Sequence, residues 1–273
     1  MRSDVLKDLS DLFFDETLTC SFCRREIHSG SYYCEECLEK LPYNNGYKCA
    51  VCGRRTPDGS MRCEHCAGEN PHFDRAFSVF DYERPISGAI LRLKYSNKRF
   101  IARELGETFL TFAYRKSGIT ADVIVYAPMF ERDEKKRGFN QSRLLAEALG
   151  ETIGVKTDGN VIFKTKHTDR QATLDRKTRA ENLKNCFALN GKADLSGKTV
   201  LIVDDVMTTG ATLNEMAKTL RKAGPKAIYC LTVASVPDRE FLPAKKKKNI
   251  IERIKSKFFR RRKKARLLQT KSK

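Results

Sequence analysis

The sequence predicts an α/β protein, a mostly parallel sheet flanked by helices on both faces and preceded by a small cysteine-rich module. Three observations carry that reading. Short β-branched apolar runs alternate with segments of helical spacing, as in strands buried on both faces and joined by crossover helices. One such run, Val200 to Thr212, reads V-L-I-V-D-D-V-M-T-T-G-A-T and passes from strand through a small-residue loop into a helix. Ahead of all of them stand four Cys-x-x-Cys pairs within residues 20–66.

Length and charge bound the problem. The 273 residues allow one large domain, or a medium domain with an appendage. No apolar run approaches the roughly 18 to 20 residues of a membrane span. Asp4, Asp8, Asp11 and Asp15 stand where a secretory leader would be basic, so a cytoplasmic protein is expected. Eight of the ten cysteines form Cys-x-x-Cys pairs, which in a chain without a leader points to metal rather than disulfides. The formal charge of +19 is unevenly placed: residues 244–273 hold fifteen Lys or Arg against Glu252, a local +14, which leaves +5 for the rest. The expected divisions are residues 1–70 for the cysteine-rich module, 71–243 for the α/β domain and 244–273 for a basic tail.

Taken in order, Val5, Leu6, Leu9, Leu12 and Phe13 give a short amphipathic helix. The knuckles follow: Cys20 with Cys23, Cys34 with Cys37, Cys49 with Cys52, and Cys63 with Cys66. Each knuckle brings two thiolates onto one metal, and two knuckles complete a tetrahedral Cys₄ zinc site. Eight cysteines make two sites by count, paired sequentially or interleaved, and holding one or two ions. Sulfur fills every ligand position, so the zinc is structural, supplying stability that polar loops cannot obtain by burial. His28, His65 and His72 are read as solvated bystanders.

In the α/β region Phe73 to Tyr82 is the first strand, followed by a helix from Pro85 to Leu93. Ala102, Leu105, Gly106, Phe109, Leu110 and Ala113 make one further helix. Asp122 to Ala127 is a second strand, Glu131 to Arg137 a charged loop, and Asn140 the cap of a helix carrying Leu144, Leu145, Ala148 and Leu149. Val161 to Thr165 is a third strand, and Lys166 to Lys184 reads as a mobile polar stretch. Thr199 to Val203 is a fourth strand that ends in Asp204 and Asp205. Leu213, Met216, Ala217 and Leu220 mark the next helix, stopped by Gly224 and Pro225. A last strand covers Ala227 to Ala234, and Cys186 and Cys230 are core residues.

The chemistry concentrates after Val203. A strand, small-residue loop and helix start present backbone N–H groups and a helix N-terminus to an anion. Gly210 permits close backbone approach, and Thr208, Thr209 and Thr212 add hydroxyls. Like charges exclude Asp204 and Asp205 as phosphate ligands, but the pair suits hydroxyls or a hydrated divalent cation. The ligand expected is a phosphate carried on a diol.

These residues resemble the 5-phosphoribosyl diphosphate (PRPP) signature of type I phosphoribosyltransferases. The resemblance implies that Asp204 and Asp205 hold the ribose hydroxyls, that Thr208, Thr209, Gly210, Ala211 and Thr212 wrap the 5′-phosphate, and that Mg²⁺ accompanies the ligand. L-K-Y at Leu93 to Tyr95, R-G-F-N-Q at Arg137 to Gln141, R-Q-A at Arg170 to Ala172 and R-x-x-N at Arg179 to Asn182 precede the signature in that order. With the knuckles in front, the set resembles the ComF family of competence-associated, phosphoribosyltransferase-like proteins. That family resemblance implies a role in uptake of transforming DNA, with single-stranded DNA and a competence helicase as partners. Lys94, Arg137 and Arg170 are the candidates for diphosphate contacts, because they lie in the family-like segments.

Two function classes compete. A transferase would displace pyrophosphate from C1 of PRPP through an oxocarbenium-like transition state, by largely electrostatic catalysis toward an acceptor that the sequence leaves open. A non-catalytic PRPP sensor would instead bind single-stranded DNA through its ribbons and tail. The tail, with Ile250, Ile251, Ile254, Phe258 and Phe259 among its cations, suits nucleic acid, an anionic membrane surface or a solubilising extension.

Overall fold

A computed structural model of the chain describes residues 19–27, 32–56, 59–68, 70–167 and 183–237. The leading helix, His28, the R-Q-A and R-x-x-N segments with Arg170, and the basic tail lie outside the described residues. The chain divides into Met1–Val236 and Pro237–Lys273, and the structure described below is that of the first unit.

The main sheet contains β1 (Arg75–Asp81), β2 (Val123–Tyr126), β5 (Thr199–Met207) and β6 (Ala227–Ser235), all parallel in the order β1-β6-β5-β2. The period-2 geometry of strands divides its side chains between two cores. Leu201 and Val203 of β5 join one core, and Val200 and Ile202 the other. Ile124 against Val123 and Val125, and Leu231 and Val233 against Ile228 and Cys230, repeat the division on β2 and β6. Both faces are therefore covered, which is why these strands read as continuous apolar runs. On the first face lie the helices Ile86–Tyr95 and Gln141–Ile153, the helical stretch 100–117, and Phe22, Tyr33 and Leu41 of the cysteine-rich region. On the second lie the helix Ala211–Leu220 and the remaining knuckles.

Four expectations change. The charged segment after β2 is the helix Glu131–Arg137 rather than a loop. It buries no residue, so apolar periodicity is silent. Its acids in the first turn, its bases in the last turn and the i,i+4 Glu131–Lys135 pair suit the helix dipole. The expected third strand is β3 (Ile162–Lys164), which pairs antiparallel with β4 (Phe187–Leu189) in a separate two-stranded sheet. The loop after Thr165 therefore does not leave the main sheet, and β4, at three residues, is too short for alternation to reveal. The helix through Ala102 and Ala113 is interrupted, running as α-helix over Phe100–Glu104, π-helix over Leu105–Leu110 and α-helix over Thr111–Ser117. Finally, β5 continues to Met207, so Asp204 and Asp205 stand inside the strand. They lie beyond the end of β2, whose last partner is Tyr126 on Val203, while β6 pairs on through Ser235 opposite Met207.

The cysteine-rich region is an internal repeat at an offset of 29 residues, Cys20 to Cys49. Cys20 N–H donates to Arg25 O at 2.7 Å and Ser21 N–H to Tyr32 O at 2.9 Å. In the second copy Cys49 N–H donates to Arg54 O and Ala50 N–H to Met61 O, both at 2.8 Å. The bridge Thr19 to Glu26 becomes Lys48 to Arg55, and the short helix Glu35–Glu39 becomes Glu64–Gly68.

Candidate functional site

The repeat settles which thiols meet. Cys20, Cys23, Cys34 and Cys37 form one cluster and Cys49, Cys52, Cys63 and Cys66 the other, the sulfurs of each lying within 4.8 Å of one another. The pairing is sequential. Backbone N–H groups of Phe22 and Cys34 donate to Cys20 Sγ at 3.4 Å, and that of Cys52 to Cys49 Sγ at 3.5 Å, contacts that favour thiolate. Four converging sulfurs supported by N–H donors fit a structural tetrahedral zinc and offer no position for substrate. His72 lies outside both clusters, its backbone N–H donating to Asn214 Oδ1.

The second site lies at the carboxyl end of the parallel sheet, where ligands of doubly wound folds bind. After Met207 the chain leaves β5 through Thr208 and Thr209 and enters the helix at Gly210, whose φ of +84° suits the residue without a Cβ. Thr208 through Thr212 are half-buried, and Thr209 Oγ1 accepts from Ala211 N–H at 3.3 Å. The ten-residue helix Ala211–Leu220 directs its N-terminus at this loop, which can therefore take an anion.

Two separated motifs converge on the two acids. Asn140 caps its helix, accepting from Ser142 N–H at 2.9 Å and Arg143 N–H at 3.3 Å. Its Nδ2 donates to Ala127 O at 3.0 Å, tying that helix to the end of β2. The first turn of the helix delivers Ser142 Oγ to Asp204 Oδ1 at 2.7 Å, and Asp205 N–H donates to the same oxygen at 2.8 Å. Lys94, from the helix Ile86–Tyr95, forms an ion pair with Asp205. Arg137 hydrogen-bonds Gln141 and lies 5.7 Å from the Tyr95 ring centroid, within cation–π range.

Burial and partners separate the two acids. Asp204, 8% exposed, is pushed up to about 7 by burial first and by the neighbouring Asp205 charge second. Burial acts the same way on Asp205, but the Lys94 ammonium outweighs it and holds that carboxyl below its ordinary value. One carboxylate is thus kept ionised, while the other can hold a proton near neutrality.

Of the expected site residues, the structure brings Lys94 beside Asp205 and Arg137 beside Gln141, with Asp204 and the Thr208–Thr212 loop at the same carboxyl end of the sheet. Arg170 lies outside the described residues. Ser142 and Arg54 escaped the sequence reading. Arg54 follows the third knuckle, within the second cysteine cluster, yet a Cβ on Gly210 would lie 3.8 Å from its Nη2.

Comparison with known proteins finds relatives of both regions of the chain. The model of the phosphoribosyl transferase domain matches residues 136–264, and that of the double zinc ribbon domain residues 9–67. Competence protein F of Haemophilus influenzae is 32% identical over 77% of this chain and 86% of its own length. DNA utilization protein YhgH of Escherichia coli K12 is 33% identical over 78% of this chain and 88% of its own. A solved purine phosphoribosyltransferase from Pyrococcus horikoshii aligns over 52% of this chain and 79% of its own length at 20% identity, with a TM-score of 0.33 on which nothing further rests. With its double zinc ribbon ahead of a type I phosphoribosyltransferase fold, and relatives matched over most of their length, the chain belongs to the ComF family.

Proposed function

We propose that the site at the carboxyl end of the sheet binds PRPP with Mg²⁺, and that the protein serves DNA uptake, as its relatives' names suggest. The observation that carries the reading is the adjacency of an ionised and a protonatable carboxylate to a helix-capped, glycine-bearing loop. In it the 5′-phosphate takes the N–H groups of residues 208–212, and the ribose hydroxyls take Asp204 and Asp205. Both acids are already engaged, by Ser142 and by Lys94. A divalent ion therefore suits the ligand's own diphosphate and water better than an all-protein cage. Bound there, Mg²⁺ would neutralise the departing diphosphate. Lys94 and Arg137 would be the nearest described cations to that group, and Arg170 is proposed beside them.

Titration calorimetry with PRPP and Mg²⁺, followed by pyrophosphate release across a panel of nucleobases, tests both parts. Binding with release assigns a transferase and identifies its acceptor. Binding without release for any base favours the second reading, a PRPP-sensing accessory protein that holds single-stranded DNA. The +14 charge of residues 244–273 supports that reading. For the tail, a flattened salt dependence of DNA binding after its removal, with PRPP binding unchanged, is the expected result. Equal salt slopes would relegate it to solubilisation. Vesicle binding lost on changing Ile254, Phe258 and Phe259 to Ser would assign it to anionic membrane instead.

A further inference from the structure

We propose that Arg54, carried by the second zinc ribbon, is a ligand-binding residue of the phosphate loop, so that the ribbon completes the anion site of the α/β fold. The ligand class is a phosphate monoester, and the proposal rests on the phosphate-loop reading above.

Three observations support it. Arg54 is 6% exposed, and its Nε and Nη2 are buried without a hydrogen-bond partner among the described residues. A buried guanidinium costs several kcal/mol unless paired, so a counter-charge is implied. Its guanidinium lies next to the loop: a Cβ built on Gly210 would stand 3.8 Å from Nη2, an ordinary van der Waals contact. Its position is held from behind. Arg54 O accepts from Cys49 N–H at 2.8 Å, Val51 O accepts from Ala76 N–H at 2.7 Å, and Gly53 O accepts from Asn44 Nδ2 at 2.8 Å. A Cβ on Gly53 would meet Ala76 O at 2.4 Å, so the knuckle packs directly on the β1 backbone. The adjacent Arg55 pairs with the buried Asp81 at the end of β1. Arg54 is thus a cation held from behind and placed beside Gly210, the residue that opens the helix Ala211–Leu220, and it is the charge complement of a phosphate there.

A competing task is near at hand, because the Arg54 charge also acts on the Cys52 sulfur of its own ribbon. The test separates the two. Full-length, zinc-loaded protein is titrated with ribose 5-phosphate, inorganic phosphate and PRPP with Mg²⁺, at pH 5.5 and 7.5. R54Q should weaken ribose 5-phosphate and phosphate binding about ten- to a hundred-fold. R54K should retain part of the affinity and serves if R54Q does not fold. R25Q, at the equivalent position of the first ribbon, should bind as wild type. A phosphate monoester loses its second proton near pH 6, so wild type should gain affinity between the two pH values and R54Q should gain less.

Equal affinity and equal pH dependence in R54Q and wild type overturn the proposal, as does loss of zinc from R54Q with anion affinity intact. If PRPP binding persists in R54Q, the pocket reading stands and this inference falls. If ribose 5-phosphate binds in an Arg54-dependent way while PRPP does not bind, the inference stands and the PRPP reading falls. A wild-type protein that binds none of the three ligands sinks both.

Discussion

The two zinc ribbons share a backbone and differ in what they do with one arginine. Arg25 and Arg54 occupy equivalent positions, each accepting at its carbonyl from the amide of the first cysteine of its knuckle. The Arg25 side chain is 64% exposed and pairs with Glu36 on its own ribbon, whereas Arg54 is buried beside the loop that follows β5. The residue ahead differs in the same sense. Arg24 holds a positive φ of +72° in the open, while its counterpart Gly53 at +68° lies against β1, where a Cβ would not fit. The lesson is that a duplicated metal module acquires a task from what it packs on. The first ribbon's Phe22 and Tyr33 stack at 4.6 Å and join a core with Phe109, which makes it a structural buttress.

The sharpest contrast uses the metal. Cys20→Ser and Cys49→Ser should each lower zinc content from two ions to one. Apparent metal-linked folding free energies of about 10 kcal/mol or more make this the largest effect expected. Only Cys49→Ser should also remove ribose 5-phosphate affinity, because Arg54 hangs from the Cys49 amide. Metal analysis beside calorimetry checks this, and equal losses in both variants would erase the distinction.

Next in size is Asp205→Asn, which leaves the Lys94 ammonium unpaired and should cost about 3 to 5 kcal/mol in denaturant unfolding. Adding Lys94→Met should restore most of that stability without restoring PRPP binding. A double variant that regained both would return these two residues to a purely structural role.

A smaller effect is linked to pH. Because Asp204 is raised to about 7 against an ordinary 3.8, the folded protein keeps a proton that the unfolded chain releases. That stabilisation is full below about pH 4 and is lost as pH rises through about 7. Glu104, pushed up to about 7 by burial, acts in the same direction, so the signal is the difference between wild type and Asp204→Asn. The variant should show the flatter stability profile, and parallel profiles would remove Asp204 as its source. Smallest of all is R25Q, expected to leave melting temperature and ligand affinity near wild type, since exposed pairs contribute little.

What the sequence made legible follows chain distance. The phosphate loop is contiguous, so Thr208 to Thr212 could be read with its strand and helix from one stretch. Sequential pairing of the thiols could not, because four similar knuckles leave the choice to tertiary packing. Ser142 meets Asp204 across 62 residues, and only the Asn140 cap hinted that a helix starts there. Arg54 was invisible for the same reason: a cation beside a cysteine knuckle reads as a surface charge until β1 is placed under it. The helix Glu131–Arg137 was missed because its signals are charge order and Gly138, with no buried face.

The most direct measurement is a structure of the zinc-loaded protein with ribose 5-phosphate. Phosphate density within hydrogen-bond distance of the amides of residues 208–212 and of the Arg54 guanidinium, with the ribose hydroxyls at Asp204 and Asp205, is the predicted result. Phosphate bound elsewhere, or in the loop with Arg54 turned away toward the Cys52 sulfur, would contradict it.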